Sequence, residues 1–285
     1  MILSSILGAA RAALQWRLLM LWSGALLLPT VVLALPVWGM LGASLDYSVH
    51  AAELAQQLDL STLADLMAEH GKNTLAFKAA ALSALAITLL LSPLLTGAVV
   101  AAARAPSPLR LRALTAAGAA EYPRMLRMLL WGILPLGAAL AAGDALRKLA
   151  GAGAALATLP TDGQYGRWAA NGAAVLLFAL ACATLDTGRA ALAADRRRTS
   201  AVKAWWRGLQ IMRRYPLATL GAYAVLSASG LAVAGMLGLA RIHVPHVGTA
   251  GFLAALALTQ VIALVLAWMR SARLFALIDL SIHKK

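Results

Sequence analysis

Six long stretches without a charged residue divide this 285-residue chain. A helix needs roughly 17–25 apolar residues to cross the hydrocarbon core of a bilayer, and all of the stretches except the third reach that length. Charged residues make up only 13% of the chain, whereas a soluble domain carries roughly 25%. We therefore predict an all-α polytopic membrane protein, a single transmembrane domain over residues 1–285. The six predicted spans cover residues of about 18–42, 79–103, 126–147, 168–189, 216–240 and 247–270.

The connections between these spans alternate in charge. Basic residues cluster at the N-terminus, in the connections after the second and fourth spans, and in a C-terminal tail that includes Arg270 and Arg273. The connection after the first span is acidic. Because cytoplasmic loops are enriched in Lys and Arg, we predict that both termini are cytoplasmic. The net charge of +14 then belongs to a membrane surface and not to nucleic-acid binding. Abundant Ala, Leu and Arg with few Lys residues indicate a bacterial source, and therefore the inner membrane.

Each of two basic connections lies between a Thr-Gly pair and a Tyr-Pro pair. These pairs are Thr96-Gly97 and Tyr122-Pro123, then Thr187-Gly188 and Tyr215-Pro216. The Thr-Gly pairs are 91 residues apart and the Tyr-Pro pairs 93, so units 79–148 and 168–240 superpose with a two-residue gap. Both units enter the membrane from the same side. We predict an internal duplication about an axis along the membrane normal.

The connection after the fourth span has an amphipathic pattern. Trp205 and Trp206 lie among Lys203 and Arg207, and the Thr-Ser pair at residues 199–200 is placed to cap a helix. Basic residues opposite aromatic and aliphatic ones are typical of helices in the membrane interface. We predict that this helix lies flat at the cytoplasmic interface with both indoles at headgroup level.

The connection after the second span and the N-terminal segment suggest two further interfacial helices. The former would begin at Ser107-Pro108, carry Arg110 and Arg112, and end near Tyr122. One function of these segments is docking of a partner protein or of anionic phospholipid headgroups. The alternative is simple anchoring of loops beside a negatively charged leaflet.

Two segments are expected on the opposite side of the membrane. The external loop 46–78 has leucines at helical spacing between acidic residues, which predicts one or two short amphipathic helices. Residues 149–161 are apolar and rich in small side chains. They fit either a loop or a shallow re-entrant segment.

Ionisable residues inside membrane spans are the first functional candidates in such a protein, and the predicted spans contain very few. Asp186 and Arg189, three residues apart at the end of the fourth span, form a candidate interfacial ion pair. We expect such pairs to be structural, and no carboxylate lies clearly at mid-depth.

The chain contains no convincing catalytic or metal-binding motif. A Ser227-x-Ser229-Gly230 segment resembles hydrolase patterns, but nucleophilic catalysis needs a nearby histidine and no span interior contains one. His243 and His246 could offer two imidazoles to a metal, but no carboxylate or cysteine accompanies them locally, and Cys182 is a lone cysteine. We therefore predict no cofactor, no metal and no enzymatic activity.

The Thr-Gly helix ends, the basic cytoplasmic segments and the Tyr-Pro and Asp-x-x-Arg motifs resemble uncharacterised six-span bacterial inner-membrane proteins. These are similar to the membrane domain of glycerophosphodiester phosphodiesterases. The resemblance covers residues of about 91–220. The phosphodiesterase catalytic domain has no counterpart in the chain, so the resemblance implies a membrane architecture and not that activity.

These features favour a non-enzymatic inner-membrane component of a larger membrane assembly. The alternative is a transmembrane subunit of a transporter, either a permease paired with a separate ATPase or a small secondary carrier, because prolines interrupt several spans and broken helices often line substrate paths. A membrane-embedded lipid enzyme is the third possibility.

Overall fold

A computed structural model describes residues 2–45, 74–155, 160–195, 197, 199–244 and 248–283. The described residues form eight α-helices and no strand. They are α1 (Ile2–Ala12), α2 (Trp16–Leu45), α3 (Thr74–Arg104), α4 (Leu111–Ala155), α5 (Pro160–Ala194), α6 (Ala201–Arg214), α7 (Pro216–Ile242) and α8 (Gly248–His283).

Six of these helices are long and apolar enough to cross a membrane: α2, α3, α4, α5, α7 and α8. Over the described residues, the predictions of an all-helical fold and of six helices able to span a membrane are therefore confirmed. Several helices extend beyond the predicted spans, among them α8, which continues past residue 270 to His283. It continues because the apolar residues Leu274, Leu277 and Ile278 are fully buried against the bundle.

Helix α8 is shared by two packed cores. One core contains residues of α1, α2, α3, α4 and α7, with Ala272 and Leu274 of α8. The other contains residues of α3, α4, α5 and α6, with Leu277 and Ile278 of α8. Because successive residues of a helix point in different directions, a single turn of α8 joins both halves of the bundle.

The C-terminal ends of α3, α5 and α8 lie on the same side of the bundle as the short helices α1 and α6. Arg104 at the end of α3 donates to the carbonyl of Ala193 at the end of α5, and Ser5 of α1 donates to Asp279 near the end of α8. We call this side the connector face.

Helix α6 begins and ends as the sequence predicts. The Ser200 hydroxyl accepts a hydrogen bond from the backbone N–H of Lys203 over 3.4 Å, which satisfies one of the unpaired donors of the first turn. Tyr215 leaves the helical conformation, and Pro216 occupies the first turn of α7, where a missing N–H costs nothing. A separate short helix therefore leads into α7.

The prediction of a second, separate surface helix from Ser107 to Tyr122 is wrong. Helix α4 begins at Leu111 and continues through Pro123 to Ala155. Proline inside a helix removes one hydrogen bond, but packing holds both sides of Pro123, since Leu114 and Met128 are completely buried. The basic start of α4 is thus an extension of a spanning helix.

Glycine allows very close helix crossings at two places on the connector face. A methyl group built on Gly118 of α4 would lie 2.8 Å from the carbonyl oxygen of Leu94 in α3, and one on Gly97 would lie 2.8 Å from the oxygen of Gly118. A methyl group on Gly208 of α6 would lie 2.5 Å from the nitrogen of Gly188 in α5. Both crossings bring backbone against backbone, which only glycine permits.

The predicted external segments fall mostly outside the described residues. Residues 46–73 of the external loop and residues 156–159 are not described. Residues 74–78 form the first turn of α3, and residues 149–155 form the last turns of α4. The first half of the segment 149–161 is therefore helical.

Candidate functional site

Two arginines assigned by sequence to a cytoplasmic tail lie inside the helix bundle instead. Arg270 and Arg273 are both half-buried within α8, because the helix continues through them into the apolar segment that follows. Arg270 lies 5.4 Å from the ring centre of Trp22 and donates to the Ser92 hydroxyl over 3.3 Å. The expectation that these two charges belong to an exposed tail is therefore wrong.

Arg273 faces α7. Its guanidinium donates to the hydroxyls of Tyr223, at 3.0 Å, and Ser227, at 3.2 Å. It also lies 4.7 Å from the centre of the Tyr223 ring. Its Nε atom is buried and has no hydrogen-bond partner among the described residues. Arg273 is thus held by neutral hydroxyls and a ring face.

The candidate ion pair of Asp186 and Arg189 forms on α5, with 2.6 Å between the Arg189 Nη1 and Asp186 Oδ1 atoms. The side chains are only 4% and 14% exposed, respectively. The pair lies close enough to Arg270 to act on it electrostatically. The pair is therefore buried among neighbouring helices.

These four residues, Asp186, Arg189, Arg270 and Arg273, form what we call the arginine cluster. Three guanidinium groups meet one carboxylate, which Arg189 already engages. Among the described residues, the cluster therefore carries excess positive charge inside the protein, where unpaired charge is costly. Ionisable groups so placed in a membrane protein mark functional sites.

The two neighbouring tryptophans of α6 have different environments. The Trp205 indole N–H donates to the Thr184 hydroxyl over 3.1 Å, and its ring lies 5.7 Å from that of Trp131. Trp206 is 54% exposed. Trp205 therefore packs against the protein, whereas Trp206 is free to lie among lipid headgroups as predicted for both indoles. Adjacent helix positions point about 100° apart, so one indole enters the bundle and the other faces outward.

The outer side of α6 is basic. Lys203 and Arg207 are exposed on either side of Trp206, while Ala204 and Gly208 are buried against the bundle. Arg110 and Arg112 are also exposed at the start of α4. We call Lys203, Trp206 and Arg207 the outer α6 surface. The predicted docking residues other than Trp205 are therefore accessible.

Other basic residues of the connections are used inside the protein. Glu121 bridges Arg104, at 2.7 Å, and Arg124, at 2.6 Å, and all three side chains are at most 14% exposed. Arg124 also donates to the carbonyl oxygens of Leu192 and Asp195. Positive charge at a helix C-terminus is stabilising, so this network caps α5.

The described residues show no arrangement suited to nucleophilic or metal chemistry. The Ser227 hydroxyl donates to the Tyr223 carbonyl over 2.6 Å, and Gly230 packs directly against Met269. His243 lies against the Leu239 carbonyl, and residues 245–247 lie outside the described residues. No group of three metal-ligating side chains occurs among those that are described.

Comparisons with protein families, with curated proteins and with solved structures find no match to this chain.

Proposed function

We propose that the protein is a non-enzymatic component of a larger assembly in the bacterial inner membrane, and that it docks a partner protein through the outer α6 surface. The observation that carries the proposal is that Trp206, flanked by Lys203 and Arg207, faces outward from a helix whose other side is fixed to the bundle.

The fixation of α6 favours docking over loose anchoring. A helix that only anchors a loop to the lipid surface does not need a fixed position relative to the rest of the protein. Helix α6 crosses α5 at Gly188 and Gly208 with the backbones in contact, and the Trp205 hydrogen bond holds the same crossing. A preorganised surface loses less conformational entropy on binding, and Trp and Arg are the residues that most often dominate interfaces.

The orientation in this proposal has both termini in the cytoplasm. The basic residues of the connector face support it through the bias toward positive cytoplasmic loops. A reporter fused after Lys285 that is active only in the cytoplasm tests the orientation directly. Activity of a periplasmic reporter at the same position would reverse it.

The internal duplication also remains a proposal, and the two glycine crossings support it. Gly97 with Gly118 and Gly188 with Gly208 occupy matching places in units 79–148 and 168–240. The resemblance to the membrane domain of glycerophosphodiester phosphodiesterases supports a membrane scaffold of this kind.

Site-specific photocrosslinking in intact cells tests the docking function. A photoreactive amino acid at position 206 should capture a defined protein, and the same residue at Leu134, an exposed position within the α4 span, should not. Position 203, where the lysine is exposed, is a second site for the photoreactive amino acid on the same surface. Docking would be contradicted if positions 203 and 206 crosslink only to lipid and the protein purifies without a partner in mild detergent. Membrane anchoring would then be the role of this surface.

A transporter subunit is the second candidate, and the arginine cluster is the observation that favours it. Charged residues within a bundle often lie along substrate paths, and this charge would suit an anionic substrate. Liposomes that contain the purified wild-type protein should then release a trapped anion faster than liposomes that contain the Arg273→Gln variant. Equal release from both would remove this candidate.

A further inference from the structure

We propose that the arginine cluster binds a phosphate group between α5, α7 and α8, with Arg273 as the principal ligand. Neither the docking surface on α6 nor its partner enters the argument, because the cluster lies on other helices. The inference starts from charge. Arg270 and Arg273 contact hydroxyls and aromatic rings, and the Asp186 carboxylate of the cluster is paired with Arg189.

Neutral partners leave part of the cost of burying a guanidinium uncompensated. An isolated charge inside a protein is strongly unfavourable unless an opposite charge accompanies it. Ring faces and hydroxyls offset part of this cost. Three guanidinium groups around one carboxylate still leave an excess that a divalent or monovalent oxyanion would balance.

The hydrogen-bonding capacity around Arg273 fits an oxyanion. Its buried Nε–H has no described partner. The Tyr223 hydroxyl accepts a bond from Arg273, so its own proton remains able to donate to a ligand. Guanidinium groups bind phosphate through two parallel N–H bonds, and Arg270, three residues earlier on the same helix, adds charge from the neighbouring turn.

The position of the cluster points to the headgroup of an anionic phospholipid as the source of that phosphate. Helices α5 and α7 both pack on α8 but make few contacts with each other. Arg273, Tyr223 and Ser227 are only half-buried at this junction. Basic pockets between transmembrane helices are where lipid headgroups bind. Inorganic phosphate has the same chemistry and is the other source that the experiment must separate.

Thermal unfolding of the full-length protein in a neutral detergent tests the site. Phosphatidylglycerol should raise the melting temperature more than phosphatidylcholine does, and native mass spectrometry should show bound phosphatidylglycerol at a defined stoichiometry. A rise with inorganic phosphate alone would identify free phosphate as the ligand and still support the site. If the wild-type protein melts at the same temperature with phosphatidylcholine, phosphatidylglycerol and phosphate, that result is sufficient to overturn the proposed site.

Three variants locate the binding. Arg273→Gln should weaken phosphatidylglycerol binding by roughly tenfold or more, because charge-assisted hydrogen bonds are lost. The matched control is Arg213→Gln, which removes an exposed charge at the end of α6 and should leave binding unchanged. Equal weakening by both variants would assign the effect to surface charge and reject the cluster. If Arg273→Gln does not fold, Arg273→Lys is the replacement variant. It keeps the positive charge but loses the parallel N–H donors of the guanidinium, so we expect binding between that of the wild type and none.

Discussion

The indole N–H of Trp205 donates to the Thr184 hydroxyl across the crossing of α6 and α5, at 3.1 Å. This bond ties a helix of the connector face to the interior of the bundle. The neighbouring Trp206 takes no part in the crossing and is 54% exposed. The two residues therefore separate the structural role of α6 from its surface role.

Replacing Trp205 by Ala should lower stability much more than replacing Trp206 by Ala. The first change leaves a cavity beside Trp131 and removes a donor from Thr184. Because Trp205 is half-buried, the cost should approach but not exceed the roughly 3–5 kcal/mol of a large aromatic residue in a full core. The second removes an exposed ring and should cost about 0.5 kcal/mol or less. Thermal unfolding in one detergent compares them.

Tryptophan fluorescence gives an independent measurement of the same difference. In single-Trp versions of the chain, Trp206 should be quenched by lipid probes placed near the headgroups, while Trp205 should be shielded from lipid and aqueous reagents alike. Quenching of both indoles by lipid probes would mean that α6 lies on the bilayer without packing on α5.

Gly208 should tolerate no side chain. In Gly208→Ala the new methyl group would meet the backbone of Thr187 and Gly188, within 2.8 Å or less, so the helices must separate. Gly221→Ala is the matched control, because nothing lies within 4 Å of that position and alanine favours helix by about 1 kcal/mol. We expect a lower melting temperature for the first variant and an equal or higher one for the second. Equal behaviour would place α6 away from α5.

The sequence was sufficient for the number and type of spans because lipid burial requires long apolar runs. It was sufficient for the cap of α6 because Ser200 acts locally. It was misleading at Pro123, where tertiary packing on both sides overrides a local helix breaker. Helix continuity at such a residue depends on neighbours that sequence alone does not identify.

The sequence predicted the Asp186–Arg189 pair but not the two other arginines of the cluster, because Arg270 and Arg273 closely follow a complete apolar span and satisfy the rule for cytoplasmic tails. The signal that points the other way is the apolar segment after them, which includes Leu274 and Ile278. Apolar residues on all sides of a helix indicate burial. Two charges followed by such a segment are expected inside a bundle.

Glu121 should contribute strongly to the stability of the connector face. Glu121→Gln leaves Arg104 and Arg124 without their shared carboxylate, and both side chains are at most 13% exposed. We expect a loss of about 1–3 kcal/mol. Asp144→Asn is the control, since the side chains of Asp144 and Lys148 are 54% and 79% exposed and solvent screens such surface pairs. Similar melting temperatures for the two variants would mean that the Glu121 network does not cap α5.

Asp186 should be the most sensitive charged position of the arginine cluster. Asp186→Asn leaves Arg189 buried without its partner at 2.6 Å and removes a negative charge that acts electrostatically on Arg270. Removing one member of a buried pair costs about 3–5 kcal/mol, whereas replacing both by apolar residues is often neutral. The double variant Asp186→Leu with Arg189→Met should therefore recover most of the melting temperature lost in Asp186→Asn. Added phosphatidylglycerol should also restore part of the loss in the single variant, because a bound phosphate supplies negative charge to the same guanidinium groups. A single variant as stable as the wild type would show that Asp186 does not neutralise the cluster.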